Sequence, residues 1–435
     1  MVHIKPFDVE EWMNDHETHC RYNIAETCCD SLSLSALAAL RTDAQNDGTS
    51  IDPLAGMLTK RLDYGAIRGS TALRTAIASL YTPPLDPSNV LITPGAIAAN
   101  LLVFYALVGP GDHVIVLHPT YQQLHAVPAS LGADVSLWPL RQTADGENSS
   151  WTADVDELAT LIRANTTMIV INTPNNPTGA VLPAPAIRAV LRLARERGIT
   201  VLGDEVYSPI FHTAEVVVPS VLSLAATPLD QPTSTSSLSQ PPERPEEATG
   251  GKEEKEVKVI VTGSLSKAYS LAGIRIGWIA SRSPDLLSRT ASARDYTTIS
   301  VSQLDDAAAA FALSPAVRPS LLARNIALCV ANARTLDAFV KRCSRWISYI
   351  KPVAGTTAFI QVVNSAGEAV DDVGFCEGML RDVGVLMVPG GRCFGVDEGE
   401  FGGFVRVGFA CDGKVLEEGL AAVADWIEKG GVDSL

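Results

Sequence analysis

Hydrophobic and polar positions along this chain fall into two alternating rhythms. Short apolar runs, such as VLITPG (90–95), GDHVIVLHPTY (111–121), MIVINTPNNPTG (168–179), ITVLGDEVY (199–207) and VKVIVT (257–262), have the composition of buried β-strands. Between them lie segments whose apolar residues recur every third or fourth position. The spacing predicts a helix over 70–81 with Leu73, Ile77 and Leu80 on one face, a second over 96–108 and a third over 183–198, ended by Gly198. ASLGADVSLWPL (129–140) reads as a helix end followed by another strand. Such alternation predicts βαβ units and a mostly parallel sheet in a large α/β domain.

The pattern changes toward the C-terminus. SYIKPVAGTTAFIQVV, VGVLMVPG and GGFVRVGFA suggest strands of a smaller domain, closed by the helix EEGLAAVADWIEK. The first fifty residues are weakly patterned and are expected to pack against that smaller domain. The organisation predicted is an N-terminal arm over 1–47, a large domain over 48–320 and a small C-terminal domain over 321–435. Residues 228–256 are rich in Pro, Ser, Thr, Glu and Gly and almost free of large apolar side chains, which predicts a mobile surface insertion within the large domain.

Polar groups cluster just beyond the strands. His118–Tyr121, Asn172–Asn176, Asp204–Tyr207 and Ser264–Lys267 each follow an apolar run. In an open α/β sheet those carboxyl ends line the ligand crevice. Lys267 stands between a strand-like run and the apolar stretch LAGIRIGWIA, so it is delivered to an interior or a cleft and not to open solvent.

Composition narrows the classes. With 435 residues, 46% apolar and 19% charged, the chain is long enough for two domains and is of globular type. A formal net charge of −15 argues against a nucleic-acid or anionic-membrane surface. No run of eighteen apolar residues and no signal-peptide pattern occurs, and the eight cysteines include no CxxC pair. A cytoplasmic protein with neither a metal site nor a disulfide scaffold is therefore expected.

SLSKAYSLAGIRIG (264–277), NNPTG (175–179), DEVY (204–207) and YGAIRGSTALR (64–74) occur in an order that resembles the class I/II aminotransferase family, the fold-type I enzymes that use pyridoxal 5′-phosphate. The resemblance runs from about Tyr64 to Arg406. It implies that Lys267 bonds covalently to the cofactor aldehyde and later carries a proton. Asp204 would face the pyridine nitrogen, Tyr207 and Asn176 the ring oxygen, and Tyr121 would stack on the ring. Ser264, Ser266 and Arg275, with the backbone of Gly95, Ala96 and Ile97 at a helix start, would hold the phosphate. Tyr64 would reach the phosphate from the partner subunit of a homodimer, and Arg406 would grip the substrate carboxylate, Asn176 assisting.

What the family does after Cα–H abstraction varies. Transamination to a 2-oxo acid is the expected reaction. β-Eliminating C–S cleavage, an aminocyclopropane-carboxylate-synthase-like or cyclase reaction, and a non-catalytic binding role are alternatives. The arm segment NIAETCCDSLSL (23–34) carries no cation for a second carboxylate, which favours neutral or aromatic amino acids. Arg289 and Arg294 are the cations that a partner subunit could bring.

Overall fold

The computed structural model describes residues 4–42, 55–143, 149–229 and 256–434. Its centre is an eight-stranded sheet with the order Val90–Thr93, Gly277–Ala280, Lys258–Ser264, Thr200–Asp204, Thr166–Asn172, His113–His118, Asp134–Thr143 and Ser150–Ala153. Six strands run the same way. Gly277–Ala280 and Ser150–Ala153 run antiparallel to their neighbours.

Alternation along the strands explains the layering. In His113–His118, Ile115 and Leu117 face one apolar core while Val114 and Val116 face the other; Ile169 and Ile171 divide from Met168 and Val170 in the same way. A strand buried on both faces needs apolar residues at every position, which is why these runs show no polar alternation. Helices Ala96–Leu107 and Pro284–Asp295 cover one face, and Ala184–Arg197 covers the other. The result is the large α/β domain expected.

The helix expected over 70–81 is shorter than its periodicity suggested. It spans Thr71–Ala78, and Ser70 caps it by accepting from Leu73 N at 3.1 Å. Leu80 lies beyond its end. Gly198 does terminate Ala184–Arg197, in the left-handed conformation (φ 69°) that spares a glycine the Cβ clash.

The smaller domain holds a four-stranded antiparallel sheet in the order Ile347–Tyr349, Thr357–Val362, Phe404–Gly408, Val388–Pro389. The long helix Arg318–Arg342 precedes it, and Gly413–Glu428 packs against that helix. The N-terminal segment joins this sheet region. Tyr22–Asn23 pairs in parallel with Val385–Leu386, Trp12 Nε1 donates to the Met387 carbonyl at 2.8 Å, and Gly408 N donates to the Ile24 carbonyl at 2.8 Å.

Most of the predicted insertion, 230–255, lies outside the described residues. Its first two positions do not behave as insertion. Leu229 is buried in the core, Arg192 Nη1 donates to its carbonyl at 2.9 Å, and Arg188 reaches the carbonyl of Pro228. Composition averaged over a window hid one anchoring leucine. Among the described residues no helix is long and apolar enough to cross a membrane.

Candidate active site

A cavity of about 350 Å³ opens at the carboxyl ends of the parallel strands, bounded by the N-terminal segment and by the smaller sheet. Asp204 and Ser264 end their strands at its floor, and Lys267 enters three residues after Ser264. Asn176, Tyr207, Tyr121, Ser266, Arg275 and Arg406 also line it, as do Ala96 and Ile97. Two predicted positions do not. Tyr64 is 80% exposed and outside the cavity, and Gly95 lies behind Arg275.

Asp204 is buried at 3% exposure, and loss of solvent raises its pKa. Asn100 Nδ2 donates to its Oδ2 at 2.9 Å and Val206 N to its Oδ1 at 3.2 Å, both opposing that rise. The Asn100 amide is itself fixed, because its Oδ1 accepts from Thr262 Oγ1 at 2.7 Å. That bond turns the NH₂ toward Asp204 and Gln123. Sequence reasoning missed Asn100. Its signal was an amide inside the otherwise apolar helix AIAANLLVFYAL, where an unpartnered polar group would be costly.

Lys267 Nζ donates to Glu26 Oε1 at 3.2 Å and to Cys28 Sγ at 3.3 Å. Burial pulls its pKa down, but interaction with Cys28, Glu26, Tyr207 and Tyr121 outweighs burial and leaves it raised well above the ordinary lysine value. Burial pushes the Cys28 thiol up to about 11, so near neutral pH the counter-charge is the Glu26 carboxylate. The Lys267 charge in turn holds Glu26 well below the usual carboxylate range. Glu26 and Cys28 had no part in the predicted site, since 241 positions separate Glu26 from Lys267.

One end of the cavity is built for an anion. Gly95 begins the helix Ala96–Leu107 at φ 86° and ψ 167°, and no side chain caps the first turn. The free N–H groups there attract negative charge. Arg275 lies directly over this turn: a Cβ on Gly95 would stand 2.8 Å from Arg275 Nη2. Arg275 adopts φ 51° and ties Nη1 to the Ala272 carbonyl at 2.9 Å, and Ser264 Oγ accepts from Ser266 N at 3.1 Å.

Arg406 occupies the opposite side at 3% exposure. Its Nη2 donates to the Ala25 carbonyl at 2.9 Å and Nη1 to Asn176 Oδ1 at 3.3 Å, while buried Nε has no partner in the protein. A guanidinium edge with a missing acceptor suits a carboxylate. Tyr207 is buried at the cavity wall, where desolvation raises its pKa. Tyr121 donates to Glu10 Oε1 at 2.8 Å and packs on Phe7, ring centroids 4.9 Å apart.

Other cations turn away from the cavity. Arg294 is buried in its own chain and donates to the carbonyls of Ile67 and Ile299, so it is not available to a neighbouring subunit as expected. Arg289 donates to the Ala106 carbonyl at 3.0 Å. His118 pairs with Glu400 at 2.9 Å and Trp138 is core, so both belong to the fold.

The donor set fits pyridoxal phosphate: a glycine turn under an arginine for the phosphate, a buried carboxylate for a protonated ring nitrogen, and a lysine between them. Residues 33–423 match the family model "Aminotransferase class I and II". The chain is 30% identical over 423 residues to a capreomycidine synthase of Streptomyces vinaceus, covering 96% of this chain and 92% of that protein. It is 25% identical to an aspartate aminotransferase of Sulfolobus acidocaldarius over 84% and 82% of the two chains. Among solved structures, a PLP-dependent aminotransferase of Streptococcus suis superposes with a TM-score of 0.80 at 36% identity, covering 98% of both chains.

Proposed function

This chain belongs to the class I and II aminotransferase family, enzymes that use pyridoxal phosphate to act on amino acids, and we propose that its own reaction is transamination to a 2-oxo acid. The observation that supports a pyridoxal-phosphate enzyme acting on amino acids is the convergence of Lys267, Asp204 and Arg406 on one cavity from separate strands and loops, and transamination is the reaction that asks least of the chain beyond these residues. When bound, pyridoxal phosphate supplies an aldehyde that condenses with amines and a ring that accepts the electron pair left by Cα–H loss.

The chain supplies the rest. Arg406 holds the substrate α-carboxylate through Nε and so orients Cα. Asp204, kept in place by Asn100, would accept a hydrogen bond from the protonated ring nitrogen. Tyr207, and Asn176 through the Nδ2 donor left when Arg406 engages its Oδ1, are offered to the ring oxygen. Tyr121 would cover the ring and keep water out. Arg275, Ser264, Ser266 and the N–H groups of Ala96 and Ile97 would hold the phosphate. In its uncharged amine form, the form in which an amine also bonds to an aldehyde, Lys267 Nζ would accept the Cα proton and return it. Transamination places that proton one carbon away from where it was taken and asks for no leaving group.

Exposed apolar residues support a homodimer. Leu101 and Tyr105 follow Ile97 at four-residue steps on one helix, and Leu62, Tyr64 and Tyr296 are likewise exposed. In this reading Tyr64 serves the phosphate of the partner. The likeness to a capreomycidine synthase supports a second outcome, a synthase or cyclase reaction in which the same residues serve Cα–H abstraction.

The test is a purified dimer loaded with pyridoxal phosphate. Borohydride reduction and peptide mapping are expected to find the adduct on Lys267. An amino-acid panel is expected to give a 2-oxo acid and pyridoxamine phosphate. Cyclised or eliminated products with no pyridoxamine phosphate would replace transamination by the second outcome, and an adduct on Lys60, Lys341 or Lys351 would remove Lys267 from its role.

A further inference from the structure

The charges of the cavity do not balance once its expected contents are assigned. Three cations line it: Lys267, Arg275 and Arg406. The cofactor aldehyde, the phosphate and the substrate carboxylate engage them in turn. Asp204 is matched by the ring nitrogen. Glu10, Glu17 and Glu26 also line the cavity, and among the described residues no further cation lines it. Glu26 is affected most directly, because Lys267 Nζ, now a cation 3.2 Å away, would be uncharged whenever it acts as an amine base.

The placement of these groups is regular. Glu10, Met13 and Asn14 come from the helix Asp8–His16, and Glu17 from the turn that continues it. Spacings of three, four and seven put them on one stripe, which the cavity lining shows facing inward together with Val9. Val9 and Met13 offer apolar contact to a methylene stem, while the glutamates supply charge. Glu26 faces the same space from the extended segment after Asn23 and accepts N–H bonds from Thr27 (2.6 Å) and Cys28 (3.1 Å), which fix its carboxylate. Independently, the buried and unpartnered Arg406 Nε marks where a ligand carboxylate belongs in the same cavity.

We infer that the substrate is an amino acid whose side chain is an aliphatic stem ending in a cation, seated along the Glu10–Glu17 stripe with its charge against Glu26 and Glu17. This rests on the reading of the cavity as a pyridoxal-phosphate amino-acid site. It reverses the expectation of a neutral or aromatic side chain. The segment 23–34 carries no cation, and what the arm presents to the cavity is an acidic wall of Glu10, Glu17 and Glu26.

The test compares amino acids of equal shape and different charge. The protein loaded with pyridoxal phosphate is titrated with L-arginine and L-citrulline, and with L-lysine and L-norleucine, reading dissociation constants from the change in cofactor absorbance. The cationic member of each pair is expected to bind at least about tenfold tighter, an advantage that shrinks at high salt because the glutamates lie at the exposed rim. Glu26→Gln and Glu17→Gln are each expected to narrow the arginine-to-citrulline ratio. A protein that takes up cofactor on Lys267 yet binds citrulline as tightly as arginine overturns this inference and leaves the functional reading standing. A ratio unchanged in both variants overturns the assignment to this wall. A protein that forms no Lys267 adduct sinks both.

Discussion

Replacing Gly95 by alanine is expected to weaken pyridoxal phosphate binding through a residue it does not touch covalently. The glycine has φ 86° and ψ 167°, a region essentially restricted to glycine, so alanine adds backbone strain of about 1–3 kcal/mol. That strain is present with and without cofactor, and it appears as a lower melting temperature. The effect on affinity has a different origin. The new Cβ would stand 2.8 Å from Arg275 Nη2, closer than such contacts occur, and the guanidinium must swing off the helix start. Losing one charge-assisted hydrogen bond to the phosphate amounts to about 1.5–3 kcal/mol, or roughly 10- to 150-fold in Kd. Titrating apoprotein with cofactor, followed by absorbance, measures this for wild type, Gly95→Ala, Arg275→Ala and the double variant. With Arg275 truncated the clash is gone, so Gly95→Ala should add little to the Kd of Arg275→Ala. A Gly95→Ala enzyme that binds cofactor within twofold of wild type refutes the argument, and so does an undiminished effect in the Arg275→Ala background.

Two further substitutions probe the floor of the site. Asn100→Leu removes the Nδ2 donor that restrains Asp204, so the aspartate pKa should climb further; kcat is expected to fall about 10- to 100-fold, with the acidic limb of its pH profile moved upward, while an unshifted limb would separate Asn100 from Asp204. Glu205 is buried, and desolvation pushes its pKa up to about 7 against the bonds from Ser220 Oγ and Val221 N. The folded state then binds more protons than the unfolded one between about pH 4.5 and 7, so this residue lowers stability as pH rises through that window, by up to about 3 kcal/mol. Glu205→Gln should flatten the dependence of melting temperature on pH between 5 and 7.5 and raise it at pH 8, and a variant with the wild-type slope would clear Glu205 of the effect.

The large domain was legible because its strands are buried on both faces and therefore announce themselves as unbroken apolar runs. The residues at their carboxyl ends, Asn176, Asp204, Ser264 and Lys267, were legible for the same reason: the point where such a run stops is where the crevice begins. Glu26 was not legible, because its role comes from long-range threading. Nothing near residue 26 shows that the chain passes Lys267 there. Asn100 was visible only as an anomaly, an amide in an apolar helix, and its meaning required Thr262 and Gln123 to fix its orientation. Arg294 shows the opposite failure. A cation considered for delivery from a partner subunit is instead taken inside the chain by the backbone carbonyls of Ile67 and Ile299.

The close seating of the N-terminal segment on Gly408 has a mechanical consequence. A Cβ at 408 would overlap the Glu26 carbonyl, and Gly408 N already bonds the carbonyl of Ile24. Arg406 is two residues away on the same strand and bonds the carbonyl of Ala25. Glu26 and Arg406 are therefore held together through one stretch of backbone, while Lys267 and Asp204 follow strands of the large sheet. On the proposed reading a bound amino acid would lie between the two, its carboxylate and side chain held from one side and its reacting carbon presented to the other. Any shift of residues 24–26 on Gly408 would then move the carboxylate clamp and the acidic wall together, coupling selection of the side chain to alignment of the reacting carbon.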